Sequence, residues 1–288
     1  MRDMADANSN VPPPQPSRMR RVARLRPWVQ AAFLGVWLGP FGLRLHSIPS
    51  CVFHCYACPL ASFACPVGVA AQFSALHVVP VLALGVVVTV AALVGAMVCG
   101  WACPFGFLQD LLAKIPAPKF RIPSWMGYGR YLVLLGLVVA VPYLWGEAHA
   151  LFICRVCPAG ALEAAVPAMV RQASAGRPVE WMSAGKFVIL GAFLLAAVLT
   201  YRPWCAVLCP LGGFLALFNR GSLLRLRFDP QACTECNLCR SRCAMGVKVD
   251  INVNDTRCIR CLECTTCGAI RLSTALRTES GPATGSSP

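Results

Sequence analysis

Two pairs of cysteines in this 288-residue chain share one spacing. Cys99-x3-Cys103 and Cys205-x3-Cys209 are each followed directly by proline and, two residues later, by glycine. Proline ends a helix because its ring removes a backbone donor and disfavours helical geometry in the preceding residue, and glycine permits a tight turn. The repeat therefore predicts that two helix ends direct four thiols to one point, where they bind a metal or cofactor. Two pairs of buried, inert cysteines are the alternative.

Eight further cysteines follow Asp229 within a short segment. The run Cys233-x2-Cys236-x2-Cys239-x3-Cys243 has the spacing with which bacterial ferredoxins bind a [4Fe–4S] cluster. The fourth cysteine of such a run normally binds the other cluster of a two-cluster protein. We therefore expect two clusters, whose ligands are Cys233, Cys236, Cys239 and Cys267 for one and Cys258, Cys261, Cys264 and Cys243 for the other.

The second run departs from the ferredoxin spacing. Cys264-x2-Cys267 is one residue short, and Ala244 and Gly268 stand where proline usually follows the fourth cysteine. We therefore expect the cluster that depends on Cys267 to be labile. Structural zinc is the competing interpretation, because C-x2-C pairs also form tetrahedral sulfur sites.

A third group of cysteines lies between the predicted membrane spans. Cys55-x2-Cys58-Pro59 is matched by Cys154-x2-Cys157-Pro158, which predicts a four-sulfur metal site between two loops. Together with Cys51 and Cys65, these cysteines are predicted to lie on the face of the membrane opposite the C-x3-C-P motifs. Disulfides are the equally weighted alternative, because six thiols in an oxidising compartment also suit pairing.

The composition is that of a membrane protein. Hydrophobic residues make up 57% of the chain and charged residues 13%, whereas about 25% of residues are charged in a typical soluble domain. Four apolar stretches approach the ~20 residues that a membrane-spanning helix requires. They are Trp28–Leu45, Leu76–Val98, Tyr131–His149 and Ala184–Tyr201.

Most lysines and arginines lie on one side of these spans, before the first, between the second and third, and after the fourth. This bias marks the cytoplasmic side, so both termini are predicted to be cytoplasmic in a multi-pass protein of a bacterial inner membrane. It also accounts for the net charge of +14 without nucleic-acid binding. Trp101, Phe105, Trp204 and Phe214 flank the duplicated motif, and an aromatic belt at the membrane surface is the favoured interpretation of them.

The predicted fold is an all-α membrane protein with four transmembrane helices, arranged as a two-fold repeated helix pair, followed by a small α+β two-cluster ferredoxin domain. The predicted boundaries are a disordered basic arm over residues 1–27, the membrane domain over 28–228, the ferredoxin-like domain over 229–272 and a disordered tail over 273–288. Because each repeat contains two helices, the two repeats run parallel to each other.

The duplicated C-x3-C-P motifs, the four spans and the C-terminal cysteine runs together resemble the NapH-type membrane ferredoxins, relatives of NosR and CcoG proteins. The resemblance covers about residues 28 to 272. It implies an electron-transfer subunit of a quinol dehydrogenase, with quinol or quinone as substrate and with membrane lipid and other redox proteins as partners. It assigns no catalytic residue.

Two other classes of protein remain open at this stage. A cofactor assembly factor could use these thiols to handle copper, because soft thiolates bind Cu(I) well. A redox-sensing regulatory membrane protein could use the same clusters as sensors. If the chain is instead an electron-transfer protein, the C-x3-C-P thiols are predicted to hold a further iron–sulfur or other metal centre.

Overall fold

Helices dominate the computed structural model, which describes residues 18–37, 45–53, 55 and 63–275. The helices are α1 (Arg18–Trp37), α2 (Pro66–Ala75), α3 (Val81–Val94), α4 (Met97–Trp101), α5 (Pro104–Leu112), α6 (Ser124–Trp145), α7 (Ile153–Val156), α8 (158–174), α9 (Ala184–Leu199), α10 (Pro210–Leu217) and α11 (Leu238–Ser241). The strands are β1 (Leu45–Pro49), β2 (Phe63–Ala64), β3 (Leu224–Phe228) and β4 (Ile270–Thr274). Short π-helical stretches lie within α6 and α8 and directly before α10, at Val133–Ala140, Ala161–Ala165 and Trp204–Leu208.

Four helices begin with the same residue pattern, a cysteine at the N-cap followed by proline and, two residues later, glycine. The four N-caps are Cys65 of α2, Cys103 of α5, Cys157 of α8 and Cys209 of α10. All four have extended backbone geometry, as expected for a residue before proline, and proline is favoured at the first helical position. The local sequence therefore places four thiols at helix N-termini.

One continuous helix among the described residues, α6, is long and apolar enough to cross a membrane by length and composition. The apolar helices α3 and α9 are shorter, with 14 and 16 residues. Helix α3 ends before Val98, where the predicted span ended, because Gly95 turns the chain with a φ of +56°. Large apolar side chains of all three helices are exposed, for example 74% of Val81, 76% of Leu132 and 70% of Val188.

The N-terminal helix differs from the sequence-based expectation. Residues 18–27 were expected to belong to a disordered arm, but α1 begins at Arg18 and ends at Trp37, and Leu45 at the predicted end of the first span lies in β1. The basic part of α1 is ordered because it has partners: Ala23 is buried, and Arg26 pairs with Asp110. Residues 1–17, 38–44 and 276–288 lie outside the described part of the chain.

The C-terminal cysteine-rich segment is enclosed by an antiparallel strand pair. β3 pairs with β4 in a register that joins Leu224 to Thr274 and Phe228 to Ile270. The unit therefore begins at Leu224 rather than at residue 229, because the buried Leu226 packs its strand with Ile270 against the cysteine loops. A second core cluster surrounds the C-x3-C-P motifs, and Trp101 joins the core of the cysteine-rich segment.

Candidate iron–sulfur sites

The four cysteines of the duplicated C-x3-C-P motif lie around one small buried cavity. Cys99 and Cys103 reach it from α4 and the start of α5, and Cys205 and Cys209 reach it from the second repeat. Each is buried, and Cys99 interacts electrostatically with Cys103 and Cys205. We call these four cysteines the inner thiols. The structure brings together the thiols that the repeat predicted to converge.

A fifth cysteine, Cys51, also lines this cavity, together with Val52 and Phe53. Cys51 was expected on the opposite face from the inner thiols, but in the structure it lines the same cavity as they do. The chain after β1 folds back toward the inner thiols, where Val52 and Phe53 bury their side chains and the Cys103 thiol donates to the Phe53 carbonyl over 3.8 Å. Spacing alone did not indicate this return because no repeat partner of Cys51 exists in the second half.

Aromatic side chains form the wall of the cavity. The Phe105 ring stacks on Phe193 with a centroid distance of 4.8 Å and meets Phe53 edge-on at 5.5 Å, while Trp204 contacts all three rings. Phe105 and Trp204 are buried inside the protein. Neither therefore belongs to an aromatic belt at the membrane surface, which was the interpretation favoured from the sequence. The Trp204 indole N–H is buried without a hydrogen-bond partner among the described residues, which leaves a donor for a group held by the thiols.

Two hydrogen bonds are directed at inner sulfur atoms. The Gln109 side-chain amide donates to Cys205 Sγ over 3.3 Å, and the Gly212 backbone N–H donates to Cys209 Sγ over 3.3 Å. Gln109 is fully buried, and its Oε1 accepts from the backbone N–H of Trp204 at 3.1 Å. Donors at sulfur stabilise negative charge on a thiolate and are among the features that set a cluster potential.

A buried ion-pair network joins the two repeats beside the inner thiols. The Arg202 guanidinium donates to both carboxylate oxygens of Asp110, at 2.6 and 2.5 Å, and to the Cys99 carbonyl at 2.7 Å. Arg26 of α1 donates to the same carboxylate at 2.5 Å and to the Gly100 carbonyl at 2.9 Å. Burial alone would raise the pKa of Asp110, but the hydrogen bonds and charge of Arg202, with Arg26, hold it below its ordinary value.

The C-terminal cysteines group as the ferredoxin spacing predicts for one set. The thiol of Cys258 interacts electrostatically with Cys261 and Cys243. Cys264 interacts electrostatically with all three of these cysteines. Burial raises the pKa of Cys258 to about 12, so this thiol binds as a thiolate only when a bound metal supplies positive charge. This all-thiol donor set fits a [4Fe–4S] cluster.

The other predicted C-terminal set is described in part. Cys233 and Cys239 interact electrostatically, and Cys236 lies between them in sequence. Cys267 ends the 3₁₀ turn Glu263–Cys267, but its side chain lies outside what the structure describes. The assignment of Cys267 as the fourth ligand therefore stays a prediction.

The cysteine-rich segment docks directly on the C-x3-C-P motif of the first repeat. The Trp101 indole N–H donates to the Arg260 carbonyl over 3.0 Å. Gly100 lies against Ile259 and Cys261 so closely that a Cβ there would stand 2.5 Å from the Ile259 carbonyl oxygen. The loop that carries Cys258 and Cys261 therefore touches the residue next to Cys99.

Two buried polar side chains anchor this dock. The Arg260 guanidinium donates to the carbonyls of Val94, Leu224 and Asn219, and burial lowers its pKa to about 10. The Asn219 amide donates to the Cys258 carbonyl at 2.8 Å and accepts from the Ala96 backbone N–H at 3.0 Å. The turn before the inner thiols and the cluster loop are thus held by one hydrogen-bonded network.

We expect Gly100→Ala to disturb this dock. The added methyl group must displace the backbone at Ile259, and overpacking of this kind typically costs about 1 to 3 kcal/mol. Hydrogen exchange of residues 258–264 should become faster and the melting temperature should fall. Gly191→Ala in α9 is the matched control, because a Cβ there meets nothing within 4 Å. Equal behaviour of the two variants would contradict a tight dock at Gly100.

The third group of cysteines is described only in part, and its predicted ligand set stays a prediction. Cys154 and Cys157 each interact electrostatically with Cys55, and Cys157 also interacts with Cys65. Cys58 lies outside the described residues. The C-P-x-G pattern of Cys65 matches Cys157, whereas Cys58 is followed by Pro-Leu-Ala, so a search by this pattern would have singled out Cys65.

A single metal ion such as zinc needs several closely grouped side chains as ligands. Within residues 18–37, 45–53, 55 and 63–275, no three His, Cys, Asp or Glu side chains are arranged to hold one ion. A tetrahedral zinc ion with bonds of ~2.3 Å draws its sulfurs to within about 4 Å of one another.

Comparison with known families agrees with iron–sulfur binding. A family described as a 4Fe-4S binding domain matches the chain twice, over residues 76–123 and 186–229. Each matched segment contains one C-x3-C-P motif and therefore one pair of inner thiols. The matches support a 4Fe–4S ferredoxin-type family. The more specific assignment to the NapH type stays a prediction.

Known relatives match the chain over about 60% of its length. An uncharacterized protein of Methanocaldococcus jannaschii is 29% identical over 63% of this chain and 72% of its own length. A putative electron transport protein of Escherichia coli, YccM, is 22% identical over 68% of this chain and 55% of its own. The regulatory protein NosR of Pseudomonas aeruginosa is 28% identical over 58% of this chain and 22% of its own length. No solved structure matches.

Proposed function

We propose that the chain is a membrane-embedded iron–sulfur protein that passes electrons between the quinol pool and partner redox proteins. The observation that carries this proposal is the convergence of four buried thiols at one cavity, with a ferredoxin-like cysteine loop docked beside it. Clusters bound at these thiols would supply one-electron chemistry. The chain itself holds the thiolates, excludes water with Phe105, Phe193 and Trp204, and directs donors at the sulfurs.

The location in a membrane is supported by surface chemistry. Large apolar side chains are exposed along α3, α6 and α9, and exposed apolar surface of this kind suits contact with lipid. In this proposal α3, α6 and α9 belong to the second, third and fourth predicted spans, and α1 contributes to the first. The lysine and arginine bias places both termini and the cysteine-rich segment on the cytoplasmic side.

An apolar cleft next to the inner thiols is the candidate quinol site. It lies between α2, α3, α6 and α10, and its walls include Val67, Val87, Val138 and Phe214. Leu211 lines both this cleft and the cavity of the inner thiols. A quinol bound in the cleft would therefore contact a residue that also lines the cavity of the inner thiols, and hydrophobic clefts of this kind suit apolar ligands.

The potential of a cluster at the inner thiols should depend on Gln109. Gln109→Leu removes the N–H donor to Cys205 Sγ, and because this donor stabilises the more negative reduced state, the midpoint potential should fall. We expect a decrease on the order of 50 mV, close to a tenfold change in a one-electron equilibrium constant. Gln30→Leu is the matched control, since the buried Gln30 amide donates to the Gly100 carbonyl and to Asp110 and not to sulfur. EPR-monitored redox titration measures both, and equal midpoints would contradict this role.

A redox-sensing regulatory protein is the second candidate function, favoured by the match to NosR, which is named a regulatory protein. Both functions need clusters that quinol reduces, but only an electron carrier sustains continuous flow. Membrane vesicles that contain the protein should therefore catalyse repeated quinol-dependent reduction of an acceptor dye whose potential lies above that of the quinol. A sensor would stop after a stoichiometric amount.

Anaerobic purification of the full chain in detergent tests the proposal directly. Iron and acid-labile sulfide should be present in equal amounts, and EPR signals of reduced [4Fe–4S] clusters should appear after addition of a quinol analogue or dithionite. Folded protein without iron would contradict the proposal. Copper at near-stoichiometric levels in place of iron would favour the assembly factor.

A further inference from the structure

The helix N-caps show a symmetry that the C-x3-C-P motif does not reveal. Cys103 and Cys209, at the N-caps of α5 and α10, contribute to the inner thiols. Cys65 and Cys157 occupy the same position on α2 and α8, each followed by Pro-x-Gly. The chain therefore builds the same thiol-bearing helix start four times and uses only two of these starts at the inner cavity.

The two remaining N-caps come together with a second pair of cysteines. A Cβ on Gly160 of α8 would be in ordinary van der Waals contact with Cys55 Sγ at 3.8 Å and Cys157 Cβ at 4.0 Å. Cys157 interacts electrostatically with Cys65 and Cys55, and Cys154 interacts with Cys55. Four thiols from three chain segments, at positions 55, 65, 154 and 157, thus share one region.

The backbone around these thiols is fixed by packing and hydrogen bonds. Cys65 is buried, and Cys154 and Cys157 pack against the core cluster that also contains the inner thiols. The Glu163 carboxylate of α8 accepts a hydrogen bond from the Cys55 backbone N–H at 2.6 Å, which ties the Cys55 segment to α8. The geometry is that of a built site rather than of four surface cysteines.

We infer that Cys55, Cys65, Cys154 and Cys157, the outer thiols, hold a second [4Fe–4S] cluster in the membrane domain. The inference rests on the iron–sulfur chemistry of the proposed function and extends it to a site with its own ligands. It replaces Cys58 by Cys65 in the four-sulfur site that the C-x2-C-P spacing predicted. Cys65 fits because it shares the N-cap geometry of the other three Cys-Pro-x-Gly starts.

The position of the outer thiols favours a relay to the inner thiols. Cys51 lines the inner cavity and Cys55 belongs to the outer thiols, and four residues span at most about 14 Å between Cα atoms. A hydrocarbon layer is about 30 Å thick, so the two thiol sets are closer together than two opposite membrane surfaces. With the inner thiols at the cytoplasmic surface, as in the proposed function, the outer thiols lie inside the span of the membrane domain.

Helix lengths agree with this depth. Helix α2 begins at Cys65 and has 10 residues, or about 15 Å, whereas α3 returns from the turn at residues 76–80 over 14 residues, or about 21 Å. A short helix that starts within the membrane and runs to its surface explains why Cys65 is buried. Irregular backbone at such depth is tolerated where it is enclosed by protein.

Serine variants of the full-length chain test the outer site. Cys65→Ser should lower the iron and acid-labile sulfide contents of anaerobically purified protein by about four atoms each per chain, and it should remove one EPR signal. Cys157→Ser should remove the same signal. Cys58→Ser is the matched control, because Cys58 lies between Cys55 and Cys65 in sequence and belongs to a C-x2-C-P motif, and this variant should retain both iron and signal.

The outcomes separate this inference from the proposed function. If the unsubstituted chain contains no iron, the proposed function fails and the inference fails with it. If the unsubstituted chain contains clusters and Cys65→Ser keeps its full iron content and spectrum, only the outer site is wrong. Loss of iron in Cys58→Ser instead would restore the assignment to Cys58, and mapping of a Cys65–Cys157 disulfide would also overturn the inference. Retained EPR signals of the C-terminal clusters show that each variant is folded.

Discussion

Cys205→Ser is expected to remove one complete cluster from the purified protein, about four iron and four sulfide atoms per chain. Serine lacks the soft thiolate that iron requires, and Cys205 is the inner thiol that accepts the Gln109 hydrogen bond. The substitution changes one atom, so the helix turn and the aromatic wall should be retained. Iron and sulfide analysis with EPR of the reduced protein measures the effect.

Cys51→Ser is the matched control for this prediction. Cys51 lines the same cavity as the inner thiols but belongs to no C-x3-C-P motif. We expect it to keep the iron content and the EPR signal, because the four motif cysteines already complete the ligand set of a [4Fe–4S] cluster. Loss of iron in Cys51→Ser but not in Cys205→Ser would show that the ligand set differs from the one proposed here.

The convergence of the inner thiols was predictable because the information is local and repeated. A C-x3-C-P-x-G sequence fixes a cysteine at a helix N-cap, and two copies on equivalent helices bring their thiols to one side of the domain. The family matches at residues 76–123 and 186–229 follow the same repeat. The predicted grouping of Cys243 with Cys258, Cys261 and Cys264 rests instead on the ferredoxin pattern, in which the fourth cysteine of one run binds the cluster of the other run.

Contacts between distant segments were not predictable from spacing. Nothing near Arg202 in sequence indicates that it binds the carbonyl of Cys99, and nothing near Arg260 indicates that its guanidinium holds the turn after α3. One signal was available: Asp110 is the sole acidic residue between Asp6 and Glu147, in a region rich in apolar and basic residues. An isolated carboxylate in such surroundings indicates a buried ion pair.

The start of α1 shows why composition misled the sequence analysis. Arginines before Trp28 indicate a solvated arm when only the local sequence is considered. In the structure, Arg26 of this helix reaches Asp110, and Gln30 donates to the Gly100 carbonyl. The helical structure of residues 18–27 therefore depends on partners that are distant in sequence, and it cannot be inferred from the composition of these residues alone.

Asp110→Asn is expected to destabilise the protein by about 3 kcal/mol, at the lower end of the cost of breaking a buried ion pair. Arg202 is 2% exposed, and the substitution leaves its charge without a carboxylate in the interior, while Asp110 itself is 27% exposed. For a protein of this size the melting temperature should fall by roughly 5 to 10 °C. Thermal unfolding of the two proteins in the same detergent provides the measurement.

Asp250→Asn separates the effect of burial from that of charge pairing itself. Asp250 pairs with Arg240, which is 41% exposed, and exposed pairs contribute at most about 1 kcal/mol.

Because the folded-state pKa of Asp110 is lowered, its contribution is fully present at neutral pH and is lost only as the pH falls through that lowered pKa. The difference in stability between wild type and Asp110→Asn should therefore be constant from pH 6 to 8. An Asp110 variant no less stable than the Asp250 variant would show that the Arg26–Asp110–Arg202 network does not hold the two repeats together.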